Sequence, residues 1–227
     1  CSNGRENDIR DVLSDEVYNS IKWVYSDLRN LRSLSNVFKD NEFDGVFHLA
    51  AQPLIYESLV KPYSTYFTNT VGTLNILEIT RETKFIKSLI CVTSDKCYEN
   101  NNSTIGFKEG DKLGGEDPYS GSKACAEIIT NTYIKSFFLN NKKLGVATVR
   151  AGNVIGGGDW SPKRLIPDCI NSIMKKKTIY LRNPNFNRPW QHVLEPLWGY
   201  LILAKKLYDQ PKKYSGAWNF GSTKGTI

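Results

Sequence analysis

Three short apolar runs, GVFHLA at 45–50, SLICVTS at 88–94 and LGVATVR at 144–150, constrain this chain more than any other feature. Each is too short for a typical helix and too continuously apolar for a strand with one wet face, so each is expected to be a strand buried on both faces. Between them lie stretches of helical periodicity. Residues 65–83 put Phe67, Val71, Leu74 and Leu77, with Ile76 beside them, on a common side. Residues 118–140 open with Pro118, suited to a first helical turn, and carry Ala126, Ile129, Tyr133 and Phe137. Further helices are expected over 31–41, 165–175 and 195–208. Strands alternating with helices imply an α/β fold in which parallel strands are joined by crossovers. After residue 151 the turn-rich AGNVIGGGDWSPKRLIPDCI changes the character of the chain. The expected division is 1–150 for the sheet domain and 151–227 for a smaller C-terminal lobe laid across the carboxyl edge of the sheet.

Composition narrows the class. Hydrophobic residues make up 40% and aromatics 12%, which suits a packed core and argues against disorder. The net charge of +7 includes lysine clusters at 175–177, 205–206 and 212–213. With no nucleic-acid-binding motif beside them, they are expected to be solvated surface. The five cysteines, at 1, 91, 97, 125 and 169, form an odd count without metal-ligand spacing, as in a reduced, cytoplasmic protein. His48 and His192 are too far apart in sequence to mark a zinc site, and no metal is expected. No apolar run reaches the roughly 18 residues of a membrane span, and no signal peptide is visible.

The chemistry gathers where the second apolar run ends. In SLICVTSDKCYENN (88–101), Thr93, Ser94, Asp95, Lys96 and Tyr98 follow the buried residues almost without a break. Ligands of open α/β sheets bind just beyond the carboxyl ends of parallel strands. YSGSK then sets Tyr119 and Lys123 four residues apart, on one helical face. An ammonium near a phenol stabilises the phenolate, and a tyrosine lowered in this way can take a proton from an alcohol as hydride leaves its carbon. The same spacing occurs at Tyr18/Lys22 and Tyr208/Lys212, but Pro211 interrupts the latter and no strand edge precedes the former. Only Tyr119 stands on a long helix that follows a strand ending in a hydroxyl.

Ser94, Tyr119 and Lys123 resemble the catalytic trio of the extended short-chain dehydrogenase/reductase family, the NAD-dependent epimerases and dehydratases. FHLAAQ (47–52), NTVGT (69–73) and VRAGNVIGGGD (149–159) resemble that family's other signatures, so the likeness covers nearly the whole chain. It implies a Rossmann-like, doubly wound parallel sheet and NAD as cofactor. TSDKCYENN, RAGNVIGGGDW, RLIPD and RNPNFNRPWQHVLEPL are similar to the nucleotide-sugar 4,6-dehydratases within the family and imply CDP-glucose as substrate. The implied product, CDP-4-keto-6-deoxyglucose, is a deoxysugar precursor for surface polysaccharide such as lipopolysaccharide O-antigen.

Such a dehydration needs oxidation at C4, a base for the acidified C5 hydrogen, an acid to expel the C6 hydroxyl, and hydride return to C6. Asp95 and Lys96 supply an acid and a base together. Related epimerases carry small, unreactive residues after the serine, and dTDP-glucose dehydratases carry Asp-Glu. The lysine at 96 therefore leaves the identity of the C5 base open. For the cofactor, the resemblance assigns Asp27 and Leu28 to the adenine side and Leu49, Ala50 and Ala51 to the ribose and phosphates. It adds Asn69, Thr93, Tyr119 and Lys123. For the substrate it assigns Gln52 and Ser58, and Asn153 with Arg188 at the diphosphate, where a guanidinium fork suits phosphate oxygens. Leu165, Ile166, Tyr180 and Arg182 are expected around the base. His192 is expected either to contact the ligand or to hydrogen-bond structurally.

One expected element is absent: no G-x-G-x-x-G stretch follows a strand, and GGGD at 156–159 runs into WSPKR instead of opening a helix. The missing first strand and glycine-rich loop are expected before Cys1, and further chain after Ile227. A homodimer or higher homo-oligomer built on helices 65–83 and 118–140 is implied by the resemblance. A 4-epimerase or another nucleotide-sugar dehydratase of the same family, or a non-catalytic nucleotide sensor of the same fold, remain as alternatives.

Overall fold

The structure, a computed structural model, describes residues 9–100, 105–185 and 188–221. Its elements in chain order begin with α1 (Asp15–Ser20), α2 (Leu31–Lys39), β1 (Gly45–His48), α3 (Ile55–Val60) and α4 (Pro62–Tyr66). A π-helical turn, Phe67–Val71, carries α4 into α5 (Gly72–Glu82), and β2 (Ser88–Val92) follows. Then come α6 (Pro118–Tyr133), with a second π-helical turn over Ile134–Phe138, β3 (Gly145–Ala151), β4 (Asn153–Ile155), α7 (Leu165–Met174) and β5 (Trp190–His192). The described chain closes with α8 (Leu194–Asp209), α9 (Pro211–Tyr214) and β6 (Gly216–Phe220).

The three apolar runs are strands, as expected, and they pair in parallel in the order β1-β2-β3-β6. Alternation along the inner strands shows why these runs are apolar throughout. Leu89 and Cys91 of β2, with Val146 of β3, pack with Ile76 and Leu77 of α5 and with Ile134 and Phe138 beyond α6. The intervening Ile90, Ala147 and Val149 pack on Tyr200, Leu203 and Leu207 of α8. Helices therefore cover both faces, and a strand between two such layers has no polar side to show. Burying each large side chain in these layers contributes about 1.5–3 kcal/mol.

Local signals set the helix ends. Asn30 caps α2 by accepting from Ser33 N at 3.0 Å, and Asp117 caps α6 by accepting from Ser120 N at 3.0 Å, with Pro118 in the first turn. Pro211 separates α8 from α9, so Tyr208 and Lys212 do not share a helix. The helix expected over 65–83 is instead two α-helical segments joined through the π turn, and that turn contains the buried Asn69. The sequence reading missed β6 as well as the two-stranded pair of β4 with β5. The latter brings residues 188–192 back beside Asn153. Among the described residues no helix is long and apolar enough to cross a membrane, and no cluster of three His, Cys, Asp or Glu could hold a metal. Cys91, Cys97, Cys125 and Cys169 are free thiols; Cys1 lies outside the described residues.

Candidate active site

β2 delivers its polar residues to the carboxyl edge of the sheet. Thr93 N still bonds the Val149 carbonyl at 2.9 Å, after which the chain turns tightly through Asp95–Cys97. Ser94 caps this turn, accepting from Lys96 N at 3.2 Å, and its hydroxyl donates to Asp95 Oδ1 at 3.0 Å. Lys96 Nζ lies 3.2 Å from Asp95 Oδ1 and 3.4 Å from Asn153 Oδ1. The Asp95 and Lys96 side chains are each 33% exposed, enough to meet a ligand. They line a cleft of about 310 Å³ together with Asn153, Arg188, Pro189, Ser120, Asp117 and Tyr98. A shallower depression lined by Lys142 and Gln210–Lys213 lies by the opposite, amino ends of β3 and β6.

Tyr119 and Lys123 stand buried on the first turns of α6, beside the end of β2. Burial pushes the Tyr119 phenol above its ordinary value; a hydrogen bond with Ser94 and the charge of Arg164 work the other way, and Asp95 adds to the rise. Lys123 Nζ donates to the Val92 carbonyl at 2.8 Å. Burial lowers its ammonium to about 8. The expected lowering of Tyr119 by Lys123 is therefore not found. Desolvation dominates the phenol, and the amine is turned to the strand. Arg164 was not anticipated. It pairs with Asp159 at 2.7 Å on the loop after β4, and only its charge near Tyr119 marks it.

Several expected contact residues are hydrogen-bonded within the protein. Asn69, expected at the cofactor, spends its whole amide on protein. Its Oδ1 accepts from Gln52 N at 2.8 Å, and its Nδ2 donates to Gln52 O at 3.0 Å and to Ser122 Oγ at 2.9 Å. It pins the loop after β1 to α6, a use consistent with π turns clustering at functional sites. Gln52, expected at the substrate, closes on its own loop: Nε2 donates to Leu54 O and Thr65 Oγ1, and Oε1 accepts from Leu54 N. Ser58, also expected at the substrate, is fully buried, with its hydroxyl donating to the Ile55 carbonyl at 2.6 Å. Thr93, expected at the cofactor, is buried and bonded to Glu127 and to Val149 O.

Leu49 and Ala50 lie exposed past the end of β1, with Ala51 half-buried beside them. Asp27 is exposed and held by Arg29, whose hydrogen bonds lower its carboxyl to about 2. Leu28 packs onto the core against Gly72 of α5. Leu165 and Tyr180 are exposed and Ile166 half-buried, while Arg182 pairs with Asp168 of α7 at 2.8 Å, tying the 180–182 segment to that helix. His192 is exposed, and its Nδ1 accepts from Leu194 N at 3.3 Å at the start of α8. Gly152 lets the Arg188–Pro189 segment approach Asp95: a Cβ there would lie 3.1 Å from Pro189 Cγ and 3.7 Å from Asp95 Oδ2.

Residues 2–217 match the family model described as GDP-mannose 4,6 dehydratase, and the chain belongs to that family. Among curated relatives, a CDP-glucose 4,6-dehydratase of Salmonella typhimurium is 46% identical over 86% of this chain and 55% of its own length. A dTDP-D-glucose 4,6-dehydratase of Dictyostelium discoideum is 31% identical over 70% of this chain and 37% of its own length. The chain thus spans about half, or less, of these relatives. Among solved structures, a dTDP-glucose 4,6-dehydratase from Streptomyces venezuelae, crystallised with NAD, superposes with a TM-score of 0.80 at 22% identity, covering 96% of this chain and 63% of that one. A UDP-glucose 4-epimerase from Thermotoga maritima gives 0.79 at 19% identity over 94% and 67%. Both share the Rossmann-like fold expected from the sequence.

Proposed function

We propose that the protein dehydrates CDP-glucose to CDP-4-keto-6-deoxyglucose with NAD as cofactor. The observation that carries this reading is the Asp95–Lys96 pair directly after Ser94, a third exposed in one cleft with Asn153 and Arg188. The 46% identity to a CDP-glucose 4,6-dehydratase supports both the reaction and the base.

The residues present fit a dinucleotide. Exposed Ala50 and half-buried Ala51, both small, past the end of β1 leave room for a close backbone approach, and Tyr119 and Ser94 offer hydroxyl groups at the neighbouring end of β2. Asp27 could accept ribose hydroxyls on exchanging its bond to Arg29. NAD, when bound, supplies a two-electron acceptor that returns what it takes within one turnover. Tyr119 takes the C4 hydroxyl proton as phenolate, a form that requires Lys123 to turn from the Val92 carbonyl towards it against the cost of burial. Asp95 gives a proton to the departing C6 hydroxyl, and Lys96, after shifting from Asp95, takes the C5 proton. Arg188 and Asn153 hold the diphosphate.

The test is to incubate the full-length protein with CDP-glucose in deuterium oxide. The expected outcome is a 4-keto-6-deoxy product with deuterium at C5. A 4-epimer without C5 label would favour the epimerase. Tyr119→Phe should lower turnover by about 10²–10⁴-fold while leaving CDP affinity unchanged, as loss of a general base does.

A further inference from the structure

Beneath the cleft lies a buried ion pair with no part in the steps above. Glu127 of α6 and Arg150 of β3 meet at 2.6 Å with side-chain exposures of 3% and 4%. Glu127 stands one turn beyond Lys123 on the same helical face. Its Oε2 accepts from Arg150 Nη2 and from Thr148 Oγ1 at 2.7 Å, and its Oε1 accepts from Thr93 Oγ1. Thr93, Thr148 and Arg150 reach it because residues 89, 91 and 93 and residues 146, 148 and 150 point to the α6 face of the sheet.

The guanidinium reaches the other way. Arg150 Nη1 donates to Tyr98 Oη at 2.7 Å and to the Glu109 carbonyl at 3.1 Å. Tyr98 Oη donates in turn to Asn219 Oδ1 of β6 at 2.6 Å. The Tyr98 ring is stacked on Phe107 at 4.6 Å, with the guanidinium 4.8 Å from its centroid.

Thr93 and Tyr98 are the residues immediately outside the turn that holds Ser94, Asp95, Lys96 and Cys97. We propose that Glu127 and Arg150 are positioning residues: one ion pair grips both ends of the catalytic turn and fixes Ser94, Asp95 and Lys96 against α6. The leading end, through Thr93, governs Ser94 and hence the oxidation step at Tyr119. The trailing end, through Tyr98, governs Asp95 and Lys96 and hence elimination. A core ion pair that merely stabilised the fold would not divide its effects in this way. The assignment to steps rests on the dehydratase reading; the grip itself does not.

Tyr98→Phe tests the trailing end, since the ring can keep its stacking on Phe107 while the hydroxyl is lost. In the full-length protein, hydrogen exchange at the Lys96 and Cys97 amides should speed up by about ten-fold, the worth of a charge-assisted hydrogen bond, with Leu89–Val92 unchanged. With CDP-glucose, water loss should slow by a similar factor while C4 oxidation, read as nicotinamide absorbance, stays near the parent rate. Thr93→Val should do the reverse, slowing oxidation first. Unchanged exchange at 96–97, or an equal rise through β2 and α6, would overturn the clamp, as would equal slowing of both steps. If the parent protein turns over no CDP-glucose, the dehydratase reading fails, and hydrogen exchange still decides the clamp.

Discussion

Lys123 Nζ donates to the Val92 carbonyl at 2.8 Å, so an ammonium is held inside the protein on the strand that leads to the reactive turn. Burial lowers it to about 8, below the 10.5 of an exposed lysine. Between those values the unfolded chain binds more protons than the folded one, so stability rises with pH across that window and the cost is fully present below about 8. Lys123→Met should therefore stabilise the protein at pH 7, by roughly 1–3 kcal/mol, while removing its function. The gain should shrink between pH 8 and 10.5. Urea unfolding of parent and variant at pH 7 and pH 10 measures it, and a variant less stable at pH 7 would mean that the bond to Val92 outweighs desolvation.

His48 gives a handle of the same sign at acid pH. It is buried at the end of β1 with Nε2 3.0 Å from Thr73 Oγ1; burial first and the charge of Lys123 second lower it to about 3. Stability from this neutral imidazole is fully present above about 6.5 and is lost as pH falls towards 3, because the unfolded chain takes the proton first. His48→Asn should flatten the slope between pH 6.5 and 5, before most carboxylates titrate, by up to about 1.4 kcal/mol per pH unit. An unchanged slope in urea midpoints over that range would place the acid sensitivity in other groups.

Asp95 and Lys96 are separable by isotope. Asp95→Asn should still allow C4 oxidation and C5 exchange while water loss slows by about 10²-fold or more, the usual size of a general-acid effect. Lys96→Ala should suppress C5 exchange with C4 oxidation intact. Stopped-flow absorbance of the nicotinamide paired with C5 deuterium exchange reads both. Parent-rate elimination by the Asn variant would remove Asp95 from the acid role.

Arg188 shares the cleft with Asp95 and Asn153. Arg188→Ala should weaken CDP and CDP-glucose by the same factor, about ten-fold to more than a hundred-fold for a lost charge-assisted bond. Calorimetric titration with both ligands checks this, and unchanged CDP affinity would move the diphosphate to other cations.

The parts of the fold that packing dictates are legible in the sequence. GVFHLA, SLICVTS and LGVATVR are apolar on both faces because helices cover both faces, and Pro118 and Pro211 mark helix boundaries by their missing N–H. The reactive turn was legible because acid, amine and hydroxyls interrupt an apolar run. What escaped depends on contacts distant in sequence. GAWNF at 216–220 lacks an apolar run, since its half-buried edge strand needs none. That the Asn69 amide bonds the Gln52 backbone, while the Gln52 amide bonds Leu54 and Thr65, depends on folding and leaves no mark in the sequence. The Glu127–Arg150 pair did leave a trace: Thr93, Thr148 and Arg150 are polar residues at alternate positions of otherwise apolar strands, a pattern that asks for a buried polar partner.

β6 pairs with β3 at the register Arg150 to Asn219, and Tyr98 bonds Asn219 across most of the described chain. The consequence falls on the ribosome. β1, β2 and β3 can assemble as soon as they emerge, but Asn219 follows only after the whole stretch from Ala151 onward has been made. At roughly 5–20 residues per second that is a delay of several seconds. Throughout it Tyr98 has no Asn219 to accept from its hydroxyl, so the last strand to join the sheet also completes the reactive corner.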